Sequence, residues 1–161
     1  MKFPEKYKVV PVASDMDVNG SATNPCDSIN MKNYHHATFL INFQTLGGAD
    51  LNCIVYSGAT DAALTSALTF SYAFMGAAAT GTGADVLAAT ATSADLTIAH
   101  ATYDNYMLVV EVDASDMDIA NGEEWLTLSF PDSAAGSTGN LSAVAILEPR
   151  YTGNRSVTAL S

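Results

Sequence analysis

From Asn33 through Pro149 the chain contains no lysine and no arginine, while acidic residues continue throughout. A body carrying one sign of charge cannot build internal ion pairs from those residues. Its fold therefore has to rest on apolar burial and backbone hydrogen bonding. The six basic residues sit at the two ends, Lys2, Lys6, Lys8 and Lys32 at one and Arg150 and Arg155 at the other. Such ends are natural places to grip something acidic. The layout suits a part that docks onto an assembly and suits an enzyme poorly.

At 161 residues the chain fits one domain, large enough to bury roughly 70% of the surface exposed when unfolded. Its charged fraction of 14% is well under the roughly 25% usual for soluble domains. A formal net charge of −11 repels phosphate backbones, so no nucleic-acid partner is expected. The start, Met1-Lys2-Phe3-Pro4-Glu5, lacks the apolar core of a secretory signal, and no apolar run is long enough to span a bilayer. No membrane partner is expected. The two cysteines, Cys26 and Cys53, make no disulfide framework and read as reduced, packed thiols. A bridge between them would need Cα atoms within about 7 Å.

Hydrophobic spacing has period two almost everywhere. Tyr34 to Gln44 alternates, with Ala37, Phe39, Ile41 and Phe43 on one face. Gly47-Gly48 then breaks the run and Leu51 to Tyr56 follows, which together read as a hairpin. Leu68, Phe70, Tyr72 and Phe74 form the next apolar face, and Ala77 to Gly83 reads as a loop. Val86 to Thr90, Leu96 to Ala99, Tyr106 to Val112, Trp125 to Phe130 and Leu141 to Leu147 are further strand candidates, with Tyr106 to Val112 central. Short helical turns fit only Ala59 to Ala67 and Ala114 to Ala120. The expected fold is all-β, an antiparallel sandwich of jelly-roll-like type. Residues 1–26 are expected as an extended arm, pairing with a sheet edge near Val9 to Val12. Residues 27–161 form one sandwich domain with a short C-terminal tail.

Few constellations point to chemistry. Asp15-Met16-Asp17-Val18-Asn19-Gly20 begins like a calcium loop, but Cys26 stands where the bidentate glutamate belongs. It reads as an acidic turn built on Asn19-Gly20. Asp113, Asp116 and Asp118, flanked by Glu111, Glu123 and Glu124, could hold a hard cation or cap a short helix. His35 and His36 are adjacent on a strand and so face opposite sides, which keeps them from sharing a metal. One ring is expected buried and the other at a surface or contact. His100 reads as a lone loop histidine. No nucleophile elbow supports a catalytic triad, and Gly81-Thr82-Gly83 lacks the lysine and helix of a phosphate loop. Asn19, Asn140 and Asn154 open glycosylation-type triplets that read as chance matches. No catalytic residue, metal or cofactor is expected.

Three stretches taken in order carry a resemblance: Lys32-Asn33-Tyr34-His35-His36-Ala37-Thr38-Phe39-Leu40, then Met107-Leu108-Val109-Val110-Glu111-Val112-Asp113, then Val144-Ala145-Ile146-Leu147-Glu148-Pro149-Arg150-Tyr151. They are similar to small β-rich structural proteins of tailed bacteriophages, of the kind made as capsid decoration or cement proteins. The likeness implies a jelly-roll-like homotrimer on the outer surface of the phage head, clamping neighbouring major capsid subunits and assembled in the host cytoplasm. It brings no catalytic residues. Under it, Lys2, Lys6, Lys8, Lys32, Arg150, Tyr151 and Arg155 are the expected capsid contacts, and His35, His36 and Trp125 the expected trimer contacts. Two other readings remain: a head-fibre or tail component, and a carbohydrate- or calcium-binding sandwich that would need Trp125 or tyrosines as an exposed platform.

Overall fold

The computed structural model describes residues 2–20 and 22–160. Met1 and Ser21 of the expected arm and Ser161 of the expected tail lie outside the described residues. After one helical turn, α1 (Phe3–Lys6), the chain forms β1 (Lys8–Asp17), β2 (Ile29–Asn30), β3 (Tyr34–Phe43), β4 (Leu51–Gly58), β5 (Ser66–Leu68), β6 (Phe70–Phe74), β7 (Ala91–Ser93) and β8 (Leu96–Ile98). A second helical turn, α2 (His100–Tyr103), precedes β9 (Met107–Asp113), β10 (Trp125–Ser129) and β11 (Asn140–Pro149). The strands make two sheets, one of six in the order β1-β11-β3-β9-β6-β7, the other of five in the order β2-β10-β4-β5 with β8 also paired to β4. All pairings are antiparallel. The chain crosses between sheets after β1, β2, β3, β5, β7, β8, β9 and β10, the jelly-roll-like connectivity expected of an antiparallel sandwich.

The period-two runs do what their spacing demands. Ala37, Phe39, Ile41 and Phe43 are each 1% exposed or less. Across β11 and β3, large side chains sit beside small ones: Leu147 pairs with Ala37 and Ala145 with Phe39. That alternation lets two strands fill one layer without voids. Between the sheets, the Phe43 and Phe130 rings meet edge-on with centroids 6.0 Å apart. Each such buried side chain stabilises the fold by about 1.5–3 kcal/mol relative to exposure.

Three expectations are corrected. β3 and β4 are not a hairpin; β3 pairs with β11 and β9 while β4 lies in the other sheet. The glycine pair between them serves a close approach instead of a tight turn. Gly48 has φ +76°, and a Cβ there would lie 1.9 Å from the Gly136 carbonyl oxygen. Val86 to Thr90 forms no strand: Val86 and Leu87 are 59% and 52% exposed, and Leu87 makes only an isolated bridge to Met75. Residues 1–26 do not stand apart from the body as an arm. Val10, Val12, Val18 and Cys26 are 5% exposed or less, and a free arm would leave them in water. The expected edge pairing near Val9 to Val12 is there, as β1 on β11. The Cys26 amide donates to the Leu128 carbonyl of the second sheet.

Candidate functional site

Strand register decides where the basic residues go. Lys8 at the start of β1 pairs with Leu147 near the end of β11, and Pro149 at that end pairs with Tyr34 at the start of β3. Lys32 precedes Tyr34 by two residues, Arg150 follows Pro149, and α1 with Lys2 and Lys6 leads into Lys8. Cations from the two ends of the sequence therefore gather at one end of the six-stranded sheet. A cleft of about 530 Å³ opens there among Glu5, Lys6, Glu148, Tyr151 and Arg155. Tyr151 is 74% exposed.

These ends are held. The Lys2 amide donates to Glu5 Oε2 at 2.9 Å, and the Phe3 and Tyr7 rings lie 5.1 Å apart. Lys6 Nζ lies 4.7 Å from the Tyr7 ring centroid, and a hydrogen bond to Tyr7 holds its ammonium above the usual lysine value. Arg150 Nε donates to the Tyr34 carbonyl at 2.9 Å. Beyond Arg155, the Asn30 amide donates to the Ala159 carbonyl at 2.9 Å, and Ala159 is 1% exposed. Lys32 makes a long, exposed contact of 4.0 Å to Glu124, a pair of little energetic weight.

The histidines correct the sequence reading. A register shift between Glu148 and Pro149, which pair with His36 and Tyr34, leaves His35 as the extra residue of an irregularity in the β11–β3 ladder. Tyr34 and Ala37 are buried, His35 is exposed and His36 half-buried. Neither ring enters the core, because an extra residue breaks the alternation that would have turned one inward. His36 Nδ1 donates to Asp113 Oδ1 at 2.8 Å, and Nε2 lies 3.8 Å from Glu111 Oε1. His100 is not alone either: its backbone amide and Nδ1 both donate to Asp50 Oδ1, at 3.0 and 2.8 Å. These contacts hold the Asp50 carboxyl below its ordinary value. In a body without lysine or arginine, histidine ring N–H groups are donors to these carboxylates. Trp125 opens β10, half-buried, opposite Asn30 and Gly58.

The carboxylate clusters disperse into local roles. Asp15 Oδ1 accepts from Gln44 Nε2 and Asn140 Nδ2, both at 2.9 Å, and Asp17 accepts from the Asn19 amide and Nδ2. Asn19 Oδ1 accepts from the Gly139 amide. Asp17 thus serves its own turn, while Asp15 reaches across to Gln44 and Asn140. Asp118 accepts from Asn121, Asp113 is taken by His36, and no group of three metal-ligating side chains occurs among the described residues. Glu123 alone goes inside. At 5% exposure it accepts from Ser57 Oγ at 2.5 Å and Ser66 Oγ at 3.1 Å. Nothing in sequence separated it from Glu124 beside it.

Cys26 and Cys53 are free, buried thiols. Burial pushes Cys26 up to about 12, with a smaller contribution from Asp27, and pushes Cys53 well above the usual thiol value. No helix among the described residues is long and apolar enough to cross a membrane.

The outer face of the six-stranded sheet carries a second depression. A shallow groove of about 330 Å³ runs between Phe3, Val9, Leu40, Met107, Val144 and Ile146.

No protein-family model matches the chain, and no curated protein does. Among solved structures, the Tobacco streak virus coat protein is similar to it in shape, with a TM-score of 0.39 and 10% identity, over 93% of this chain and 91% of that one. A likeness this loose assigns no role.

Proposed function

We propose that this protein is a virion structural component, a decoration or cement protein of a tailed-bacteriophage head. As a homotrimer on the outer capsid surface it clamps neighbouring major capsid subunits, without catalysis and without a cofactor. The observation that carries this reading is the gathering of cations from the two chain ends at one end of one sheet of an otherwise anionic sandwich. An acidic partner surface would be gripped by Lys2, Lys6, Lys8, Lys32, Arg150 and Arg155, with exposed Tyr151 among them. Because α1 and the tail are already tied down, little ordering entropy is lost on docking. The resemblance of three ordered stretches to phage decoration proteins supplies the identity of that partner.

The test uses the full chain with Lys2, Lys6 and Arg155 replaced by glutamate. Circular dichroism should be unchanged, and co-sedimentation with undecorated, expanded phage heads should be lost. Wild-type occupancy by the triple variant would sink the proposal. Binding should also weaken as salt rises, since exposed charge contacts are screened.

A further inference from the structure

We infer that the outer face of the six-stranded sheet is where copies of this chain meet, the lysine-bearing β1 margin of one copy lying against the Glu111–Asp113 end of β9 of the next. This deepens the trimer part of the proposed function and rests on that reading.

A sheet with one solvated face normally alternates apolar-in with polar-out. Here the outward positions break that rule. Register places Pro11, Val144, Leu40 and Val109 side by side in one row across β1, β11, β3 and β9. The adjacent row continues with Val9 beside Ile146. Val9 is 46% exposed and Phe3, at the groove's margin, 51%. Apolar side chains contiguous over four strands mark an interaction surface.

Charge selects a second copy as the occupant. With −11 per chain, two copies repel unless their contact is free of carboxylates or pairs them with cations. The two apolar rows are free of carboxylates from β1 to β3. At the end of this face where β1 begins, α1 offers Lys6, while β9, three strands from β1, offers Glu111 and Asp113, both exposed; Lys8 pairs with the buried Leu147 and belongs to the inward row. Three strand spacings amount to about 14 Å. The face therefore carries both halves of its own complement, one beside its β1 edge and one on β9, the fourth strand in. A copy rotated so that its β1 margin meets its neighbour's β9 buries the apolar rows and pairs Lys6 with the carboxylates. Repeated head-to-tail, that contact closes into a ring.

The experiment measures the mass of the intact chain in solution by light scattering after size exclusion. Wild type should weigh three times the 16.8 kDa chain, and Val109→Lys, an outward substitution, should run at the monomer mass with an unchanged circular dichroism spectrum. Lys6→Glu should raise the concentration at which the assembly forms about tenfold or more through like-charge juxtaposition. Adding Glu111→Lys to Lys6→Glu should restore it. A trimer untouched by Val109→Lys overturns the face assignment and leaves the trimer reading standing. Failure of the double swap to restore assembly overturns the margin pairing. A monomeric wild type overturns both the trimer and the face, while head binding by a Lys2→Glu, Arg155→Glu variant, which leaves Lys6 in place, tests the capsid reading separately.

Discussion

Glu123 is a carboxylate kept inside a body that has no ammonium or guanidinium to pair with it. It is 5% exposed, and its donors are the hydroxyls of Ser57, 0% exposed, and Ser66, half-buried. The residue ties the entry of β10 to the β4–β5 pair. Hydrogen bonds to a charged acceptor contribute about 1.5–3 kcal/mol each, and the shorter, fully buried bond from Ser57 should stand at the upper end. Glu123→Ala removes both and strands a buried hydroxyl, but it also relieves the desolvation of the carboxylate. The net loss should be about 2–3 kcal/mol. With a urea m-value of about 2 kcal/mol/M, the unfolding midpoint should fall by about 1–1.5 M. Glu123→Gln, which keeps the shape and loses one acceptor, should cost about half as much. In a double-mutant cycle with Ser57→Ala the two losses should overlap by about 1–2 kcal/mol. Strictly additive losses, or a Glu123→Ala midpoint indistinguishable from wild type, would refute the claim that hydroxyls stand in for cations here.

Other expectations test the local arguments. Asp50, held below its usual value of 3.8 by His100, is a depressed carboxyl, so its contribution to stability is complete above that value and is lost as pH falls through the folded one. Melting temperatures followed from pH 5 downward should show Asp50→Asn losing less than wild type in that acid range; parallel curves would contradict it. Both thiols should resist a disulfide reagent at pH 8 in the folded protein and react fully in guanidinium, because burial raises each of them and the thiolate is the nucleophile; prompt labelling of native protein would contradict that. Gly48→Ala and Gly122→Ala share a positive φ, +76° and +77°, but only the first drives a Cβ onto backbone. Gly122→Ala should cost about 1 kcal/mol and Gly48→Ala at least twice that; equal urea midpoints would remove the close-approach argument.

Period two made much of this molecule legible, since alternation fixes which side chains face the core wherever one face is buried. Ala37, Phe39, Ile41 and Phe43 in β3, Leu108, Val110 and Val112 in β9, and Leu141, Ala143, Ala145 and Leu147 in β11 all face inward as their spacing requires. Alternation says nothing about which strand lies next door. β3 and β4 follow one another with a glycine pair between them, and only the contact of Gly48 with Gly136, 88 positions away, reveals that the glycines serve another purpose. The histidines failed to yield to the same rule because His35 is the extra residue of a bulge that exists only relative to β11, more than a hundred residues on. Glu123 was invisible for a related reason: Ser57 and Ser66 lie 66 and 57 residues before it. Of the candidate contacts, the cations were legible as residues and illegible as a cluster, because their grouping is a property of register.

That grouping follows from chain topology. β1 starts, β11 ends and β3 starts at one end of the sheet because the three are adjacent and antiparallel. Any chain whose cations are confined to those three strand ends will gather them at one corner without a single basic side chain in its body. The corner acts only at short range. At physiological ionic strength the screening length is about 8 Å, so beyond a layer or two of water an approaching surface meets the net charge of −11 rather than the lysines. Under the proposed function, docking onto an acidic neighbour gains nothing from long-range attraction and must be specified at contact, by side chains already in place. That requirement accounts physically for a chain that spends Glu5 on the Lys2 amide, the Tyr34 carbonyl on Arg150 and the Asn30 amide on Ala159, holding its two ends in position instead of leaving them as flexible charged tails.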